Sequence, residues 1–369
     1  MHDLLKRISV EAVALILDDP ESLQKIDRSN MLSQMDNTPV RLRFPNDAEE
    51  TCRWAYQKPE NVILAGVGGS GIVGEIITDS LRESTDIPMA VCRTTKVPNY
   101  VGPKTLFVAI SYSGETRETL GLMEEASRRR AMIATISSGG TLLANAVTRG
   151  VPYLKVPPDL APRVALPELI GAAVCLLERA SLVTNASELL LESSASIRNL
   201  IESVNVASPL GDNQAKQIAL KIQDHLPILM GSEDAVSVLR RIKNELNENS
   251  KMPAFFCTFP EGYHDDVEGL RTLKELAPVQ PLFVQINDEG QVARHAREKL
   301  NSILSEIGFP DALTIEGIGK HRLARLLTAI TLGDYASVYL AVLRGVDPTE
   351  ILIIPGFRKL MYQESRDPR

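Results

Sequence analysis

Val62-Ile63-Leu64-Ala65-Gly66-Val67-Gly68-Gly69-Ser70-Gly71-Ile72-Val73-Gly74 runs from strand formers through a glycine turn into a helical pattern. Glycines let a backbone turn sharply and approach a ligand closely. A helix that starts at such a turn aims unpaired N–H groups at whatever sits there, which favours an anion. Two chemistries fit these letters. Gly66-x-Gly68-x-x-Gly71 spells the dinucleotide fingerprint. The doubled glycine followed by Ser70 also suits a sugar phosphate.

Outward from this stretch the pattern alternates. Strands are expected at 62–66, 88–92, 105–110, 132–137 and 152–156, and helices at 71–82, 115–130, 140–148 and 164–183. Strands apolar on both faces that alternate with helices predict a parallel sheet covered on both sides. Helices are also expected at 3–17 and 20–36, broken at Asp19-Pro20, and helical pattern returns around 47–57. A polar–apolar helical stretch at 186–205 joins two halves, and Ser208-Pro209-Leu210-Gly211-Asp212 punctuates its end. The second half repeats the alternation: helix 213–225, strand 227–231, helix 234–249, strands near 254–258, 281–286 and 312–316, and a helix at 320–344. Gly231-Ser232-Glu233 is a degenerate echo of Gly68-Gly69-Ser70. The fold class is therefore α/β, with two similar doubly wound units of flavodoxin-like type and leading N-terminal helices. The units are placed at 1–205 and 206–369.

The chain has 369 residues, 44% of them hydrophobic, which suffices for two packed units and argues against disorder. A formal charge of −7 without a long basic run leaves no nucleic-acid footprint. An anionic ligand must then be held by local donors. The four cysteines (Cys52, Cys92, Cys175, Cys257) form no CxxC pair, which argues against a zinc site or a disulfide scaffold and fits a reducing cytoplasm. The N-terminus leads into no signal-like apolar core, and no apolar run is read as long enough to span a membrane.

The dinucleotide reading needs an acidic residue about twenty positions on to hold the ribose hydroxyls. The second strand instead ends Val91-Cys92-Arg93-Thr94-Thr95, where Arg93 would suit only a 2′-phosphate. The next strand decides more. It ends in Ser111-Tyr112-Ser113-Gly114-Glu115-Thr116 before a long helix. Three hydroxyls cluster at this turn, and each can donate to a phosphate oxygen. Ordinary capping, with Ser113 as cap and Thr116 in the first turn, needs only one of them. Two anion-ready turns on neighbouring strand ends fit one phosphorylated ligand bridging them.

Gly68-Gly69-Ser70-Gly71 followed by Ser111-Tyr112-Ser113-Gly114-Glu115-Thr116 resembles the sugar isomerase (SIS) domain, which binds sugar phosphates. Ala161-Pro162-Arg163, Arg241-Ile242-Lys243-Asn244-Glu245-Leu246-Asn247-Glu248-Asn249 and Pro260-Glu261-Gly262-Tyr263-His264 narrow it. In order and spacing, over about residues 60–360, these blocks resemble the bifunctional phosphoglucose/phosphomannose isomerase family. The resemblance implies a cofactor-free, metal-free aldose–ketose isomerase of six-carbon sugar 6-phosphates. It also implies a homodimer, while the charge and the apolar runs above give no expectation of nucleic acid or membrane as partner.

Each block has its own physics beside that implication. Arg163 is read as opening a helix just after Pro162, where a cation opposes the helix dipole. Such placement hints at an external anion, against the plainer reading of a solvated or salt-bridged arginine. The resemblance makes Arg163 the stabiliser of an enediolate. In helix 234–249 the apolar stripe is Val238, Leu239, Ile242 and Leu246, and Glu248 lies off it, on a face with Arg241 and Asn244. Periodicity alone reads Glu248 as solvated. The resemblance makes it the base that moves a proton between C1 and C2, and Glu245 is the neighbour it is easily confused with. His264, one of five histidines, sits in a Gly- and Asp-rich loop. The resemblance has it open the sugar ring, contributed from the neighbouring subunit. Here it reads His264-Asp265-Asp266 where many relatives carry a His-Asn pair, which puts its protonation state in question. Gly345-Val346-Asp347-Pro348-Thr349 precedes a C-terminal helix whose lysine is catalytic in the family. The ungapped match falls on Arg358, and Lys359 beside it is the better proton carrier because its ammonium is movable. A solvated basic tail is the competing reading, since Arg366 and Arg369 follow.

Phosphate binding thus falls to Gly68, Gly69, Ser70, Ser111, Ser113 and Thr116, and the chemistry to Glu248, Arg163, His264 and Lys359, with Arg358 as a substrate contact. Room for the C2 hydroxyl is placed near Thr349. The alternatives are an isomerase of another sugar phosphate, a non-catalytic sugar-phosphate sensor, and an NADP-dependent oxidoreductase.

Overall fold

The computed structural model describes residues 16–43, 54–286 and 290–364. The expected helix at 3–17 falls almost wholly outside them, as do Cys52 and residues 47–53 of the helical pattern at 47–57. Residues 16–18 are helical, and 54–57 are not. The expected helix at 20–36 is split into α1 (Pro20–Ile26) and α2 (Met31–Asp36), with α3 (Thr38–Arg41) after it. Asp27 causes the break. Its buried carboxylate accepts from the N–H groups of Met31 and Leu32 at 2.8 and 2.9 Å, and so starts a new helix.

The first unit contains β1 (Asn61–Ala65), α4 (Gly69–Leu81), β2 (Met89–Cys92), β3 (Thr105–Ile110), α5 (Arg117–Arg128), β4 (Met132–Ser137), α6 (Gly140–Arg149), β5 (Tyr153–Lys155) and α7 (Leu166–Arg179). All its strand pairs are parallel, in the order β2-β1-β3-β4-β5. The winding reverses between β1 and β3, and that crevice is where such sheets bind ligands. The two glycine- and serine-rich turns open there. The connecting helix α8 (Ala186–Val204) leads to α9 (Gln214–Ile222), β6 (Leu226–Ser232), α10 (Val236–Glu248), β7 (Phe255–Phe259), α11 (Asp266–Leu276), β8 (Val279–Ile286), α12 (Gln291–Glu306), β9 (Leu313–Gly317), α13 (Arg322–Leu343) and α14 (Ile353–Glu364). The second sheet is also parallel, β7-β6-β8-β9, the same winding with one strand fewer. The echo at Gly231-Ser232-Glu233 therefore stands at the equivalent strand end. Its turn is closed by the Ser232 hydroxyl, which accepts from the Asp234 N–H at 3.3 Å.

Helices α11, α12 and α14 fall where the sequence pattern gave none. The first two turn only a narrow apolar edge (Leu270, Leu300, Leu304) toward Phe283 and Phe309, too sparse a stripe to read by period. The reading that no apolar run could span a membrane needs correction. Helix α13 has 22 residues and suffices by length and composition, yet 89% of its most apolar window is buried in protein. It packs on α4, α8, α9 and α10 and on the second sheet, which makes it the core helix joining the two units.

Helices α4 and α10 follow the first strand of each unit and pack on each other. Glu75 of α4 binds Arg93 at 2.9 Å and Arg240 of α10 at 3.0 Å. Helix α10 has no side-chain cap of its own at Ala235. Asp79 of α4 supplies one across the interface, accepting from the Ser237 N–H at 3.0 Å. Burial pushes the Asp79 carboxyl up to about 6 against the pull of Ser237 and Arg82. Unfolded, it titrates near the ordinary value of about 3.9. The folded chain therefore holds the extra proton between those values, and stability falls as pH rises through that window. From pH 5 to 7.5 this group is expected to remove about 1 kcal/mol. Asp79→Asn keeps an acceptor for Ser237 and removes that slope. Urea denaturation at the two pH values checks this, and equal losses in wild type and variant would contradict it.

Candidate active site

The first turn lies between β1 and α4. Gly68, at φ 59°, is the N-cap residue, and no side chain caps the helix. A Cβ at Gly71 would lie 2.7 Å from the Gly66 carbonyl oxygen and 2.8 Å from Arg93 Nε. That glycine lets the turn close and lets Arg93 cross over it to Glu75. Arg93 thus spends its charge on Glu75, which removes the cation a dinucleotide 2′-phosphate would need. The GxGxxG spelling here serves close packing.

The second turn lies between β3 and α5. Ser111 is buried, and its hydroxyl shares a 2.9 Å hydrogen bond with that of Thr116. Thr116 is the N-cap residue of α5, but its side chain turns to Ser111 and caps nothing. Ser113 is exposed, and its Oγ accepts from the Glu115 N–H at 3.2 Å. Capping therefore does not account for the three hydroxyls. Ser70 ties the two turns together, because its Oγ accepts from the Tyr112 N–H at 3.1 Å. Two helices of 13 and 12 residues thus begin side by side, each without a side-chain cap. This pairs partial positive charge with hydroxyl donors, as a phosphate group requires. Glu115 turns away and accepts from the Thr141 N–H at the start of α6, at 2.7 Å.

Tyr112 also fixes the approach to Arg163. Its hydroxyl donates to the Pro157 carbonyl at 3.0 Å and accepts from the Leu160 N–H at 2.9 Å. The Pro162 carbonyl then lies 3.9 Å from where a Cβ on Gly69 would stand. Arg163 does not open a helix. It sits in the 162–165 turn, and α7 begins at Leu166 with Pro167 in its first turn. The dipole argument accordingly gives way to a different one. Arg163 is only 7% exposed, and the second unit holds it. Nη1 donates to Asn249 Oδ1 and to the Pro348 carbonyl at 2.7 Å, and Nη2 to the Thr349 carbonyl at 2.8 Å. Nε lies 3.7 Å from Glu248 Oε2.

Glu248 closes α10 with its side chain 32% exposed. Glu245, one turn earlier, is buried. It binds Arg241 at 2.8 Å and accepts from Asn249 Nδ2 at 3.0 Å. Burial pushes the Glu245 carboxyl up, against the pull of Arg241. The face shared by Arg241 is thus interior, because Arg241 also binds Asp334 of α13 at 2.8 Å and the Arg163 carbonyl at 2.9 Å. Of the two carboxylates only Glu248 combines contact with Arg163 and access to solvent.

Among the described residues the remaining candidates make no hydrogen bond or ion pair with Arg163 or Glu248. His264 ends the turn after β7 and is exposed. Among the described residues no hydrogen bond links its imidazole to Arg163 or Glu248. Its neighbour Asp265 caps α11 through the Asp266 N–H. Arg358 and Lys359 stand side by side on α14, both exposed. Sequence reasoning missed Lys251, whose Nζ donates to the carbonyls of Asn249 at 3.1 Å and Asp347 at 2.7 Å, and whose ammonium burial pushes down. It also missed Asn249; its only signal was the Asn-Glu-Asn context. The Thr349 hydroxyl oxygen is buried and, among the described residues, has no partner. Among the described residues no group of three or more His, Cys, Asp or Glu converges as a metal site.

Comparison with known proteins agrees with this fold. Residues 55–151 match the SIS domain, and residues 211–361 the bacterial phospho-glucose isomerase C-terminal SIS domain. A bifunctional phosphoglucose/phosphomannose isomerase of Caldicellulosiruptor bescii is 32% identical, over 79% of this chain and 86% of the relative. One of Aquifex aeolicus is 31% identical, over 81% and 90%. A D-glucosamine-6-phosphate 4-epimerase of Sulfolobus acidocaldarius is 32% identical, over 81% and 89%. In fold, the chain is similar to a glucose-6-phosphate isomerase like protein from Thermus thermophilus, with TM-score 0.64, 17% identity, and 93% and 99% of the two chains covered.

The paired turns predict an anion site that protein chemistry can check. Inorganic phosphate is expected to bind the wild-type chain, and Ser111→Ala to weaken that binding tenfold or more, by about 1.5–3 kcal/mol for a lost charge-assisted hydrogen bond. Calorimetric titration reads this, and undiminished affinity in the variant would contradict it.

Proposed function

The chain belongs to the bifunctional phosphoglucose/phosphomannose isomerase family, and from that premise we propose that it interconverts glucose 6-phosphate and mannose 6-phosphate with fructose 6-phosphate through a cis-enediolate. The observation that carries the proposal is the contact between a buried Arg163 and a solvent-accessible Glu248, beside two uncapped helix N-termini. The units 1–205 and 206–369 divide the work. The first holds the phosphate, through Gly68, Gly69, Ser70, Ser111, Ser113 and Thr116. The second supplies the base.

In this mechanism Glu248 takes the proton from C2 of the aldose, or from C1 of the ketose. The electron pair moves into the C1–C2 bond, and negative charge develops on the carbonyl oxygen. The Arg163 guanidinium is held by the Pro348 and Thr349 carbonyls, so it meets that charge without reorganising. The O2 hydroxyl proton passes to O1 so that the charge moves to O2, and Glu248 then returns its proton to C1 as C2=O forms; the ketose-to-aldose direction runs the same steps backwards. A base and an electrostatic stabiliser suffice for such a transfer, and no step is assigned to a metal or cofactor. Thr349, whose carbonyl accepts from Arg163 and whose hydroxyl has no partner among the described residues, is suited to the substrate's C2 region and to tolerance of both C2 epimers.

Ring opening needs a further acid–base group. We assign it to His264 of the partner subunit, together with Lys359 or Arg358. The exposed position of His264, with no hydrogen bond to Glu248 among the described residues, supports a homodimer. So does the apolar surface of α14, where Ile353, Phe357, Leu360 and Met361 are all exposed, because a helix so uncovered is normally held by packing. The protein is read as a cytoplasmic enzyme of glycolysis and gluconeogenesis.

A second reading has one comparison in its favour, the 4-epimerase relative. A single experiment separates the two. Purified protein is assayed with glucose 6-phosphate, mannose 6-phosphate and glucosamine 6-phosphate side by side, as wild type and as Glu248→Gln. The first two sugars are expected to turn over, and Glu248→Gln to lose at least about a thousandfold in kcat while still binding substrate. Turnover of glucosamine 6-phosphate alone, or near-normal isomerisation by the variant, would contradict the proposal.

A further inference from the structure

We propose that Asn249 is a positioning residue that aims Arg163 at the reacting centre, a role resting on the isomerase reading above. Its side chain is 1% exposed and fully engaged. Nδ2 donates to Glu245 Oε2 at 3.0 Å and to Ser337 Oγ at 2.8 Å, and Oδ1 accepts from Arg163 Nη1. Only this amide orientation works. Reversed, the NH2 group would face a guanidinium, which has no acceptor, and the oxygen would face a carboxylate, which has no donor when ionised. Ser337 is fixed in turn, since its hydroxyl donates to the Asp334 carbonyl at 2.6 Å.

The same cluster grips Arg163 by its backbone. Arg241, clamped between Asp334 and Glu245, donates to the Arg163 carbonyl at 2.9 Å. Arg163 is thus held at both ends by one buried group of side chains from α10, the Asn249 that ends it, and α13. Asn249 is the only side chain in that group that binds both the guanidinium and Glu245. It also follows Glu248 directly, so the residue that orients the stabiliser is covalently joined to the base. A small displacement of Arg163 would leave substrate binding nearly intact and misalign the contact to the developing charge.

The test separates positioning from a general structural role. Asn249→Ala is expected to lower kcat about 10- to 100-fold, the cost of a displacement near 1 Å, with KM for fructose 6-phosphate within about threefold. A phosphorylated hydroxamate that mimics the planar enediolate should lose affinity by the same factor as kcat. Ser337→Ala unhooks Asn249 on one side only. It is expected to move the same quantities in the same direction by a smaller factor, and it carries the test if Asn249→Ala does not fold. Unchanged kcat in the variants, or equal losses for substrate and mimic, would overturn the role. An inactive wild type would overturn the isomerase reading and this inference together. An active wild type with unaffected variants would overturn this inference alone.

Discussion

A guanidinium cannot shed its proton, so burying one requires that its surroundings match it. Arg163 imposes that constraint here. It belongs to the segment that leaves the first sheet, yet among the described residues every partner of its side chain lies in the second unit: Asn249, Pro348, Thr349 and Glu248. Without this set of partners it would be a stranded buried charge, which costs several kcal/mol. The two units are therefore tied together at the place where a cation and an accessible carboxylate meet. Stability and chemistry draw on the same contact.

The architecture around it follows from repetition of one winding. Both sheets reverse direction at their first strand, and both place a helix there. In the first unit that helix begins uncapped beside a second uncapped helix, which suits an anion. In the second unit the equivalent turn is closed by Ser232 and the helix is capped from outside by Asp79. The repeat that lost its glycine turn presents the far end of its helix instead, where Glu248 stands. One unit offers the N-termini of helices, the other the C-terminus of one, and α13 runs through the core between them.

The sheets were legible in the sequence because buried parallel strands are continuous apolar runs, and each predicted strand has its counterpart within one or two residues. The paired turns were legible too, since glycines and hydroxyls at strand ends have few other uses. What stayed hidden depends on contacts far apart in the chain. Pro162 looked like a helix start, but Pro167 takes that place and Arg163 is claimed by residues 86 and 185 positions later. Glu245 and Glu248 share a helix face by spacing. They are told apart by Asp334, which draws Arg241 and with it Glu245 into the interior. Helix α13 was read as ordinary because its apolar residues surround it on all sides, as a core helix requires. Asn249 is an ordinary polar letter whose role exists only once α10 and α13 are packed.

The central claim is that Glu248 shuttles a proton between adjacent carbons while Arg163 holds the negative charge. Deuterium incorporation reads that step directly. With fructose 6-phosphate in D2O, proton NMR is expected to show deuterium at C2 of the aldose 6-phosphate formed, because a carboxylate exposed to solvent exchanges its proton during some turnovers. Glu248→Gln should abolish both exchange and isomerisation. Full isomerisation with deuterium absent from C2 at every extent of reaction, and unaffected by Glu248→Gln, would mean that hydrogen moves without the carboxylate and would contradict the account.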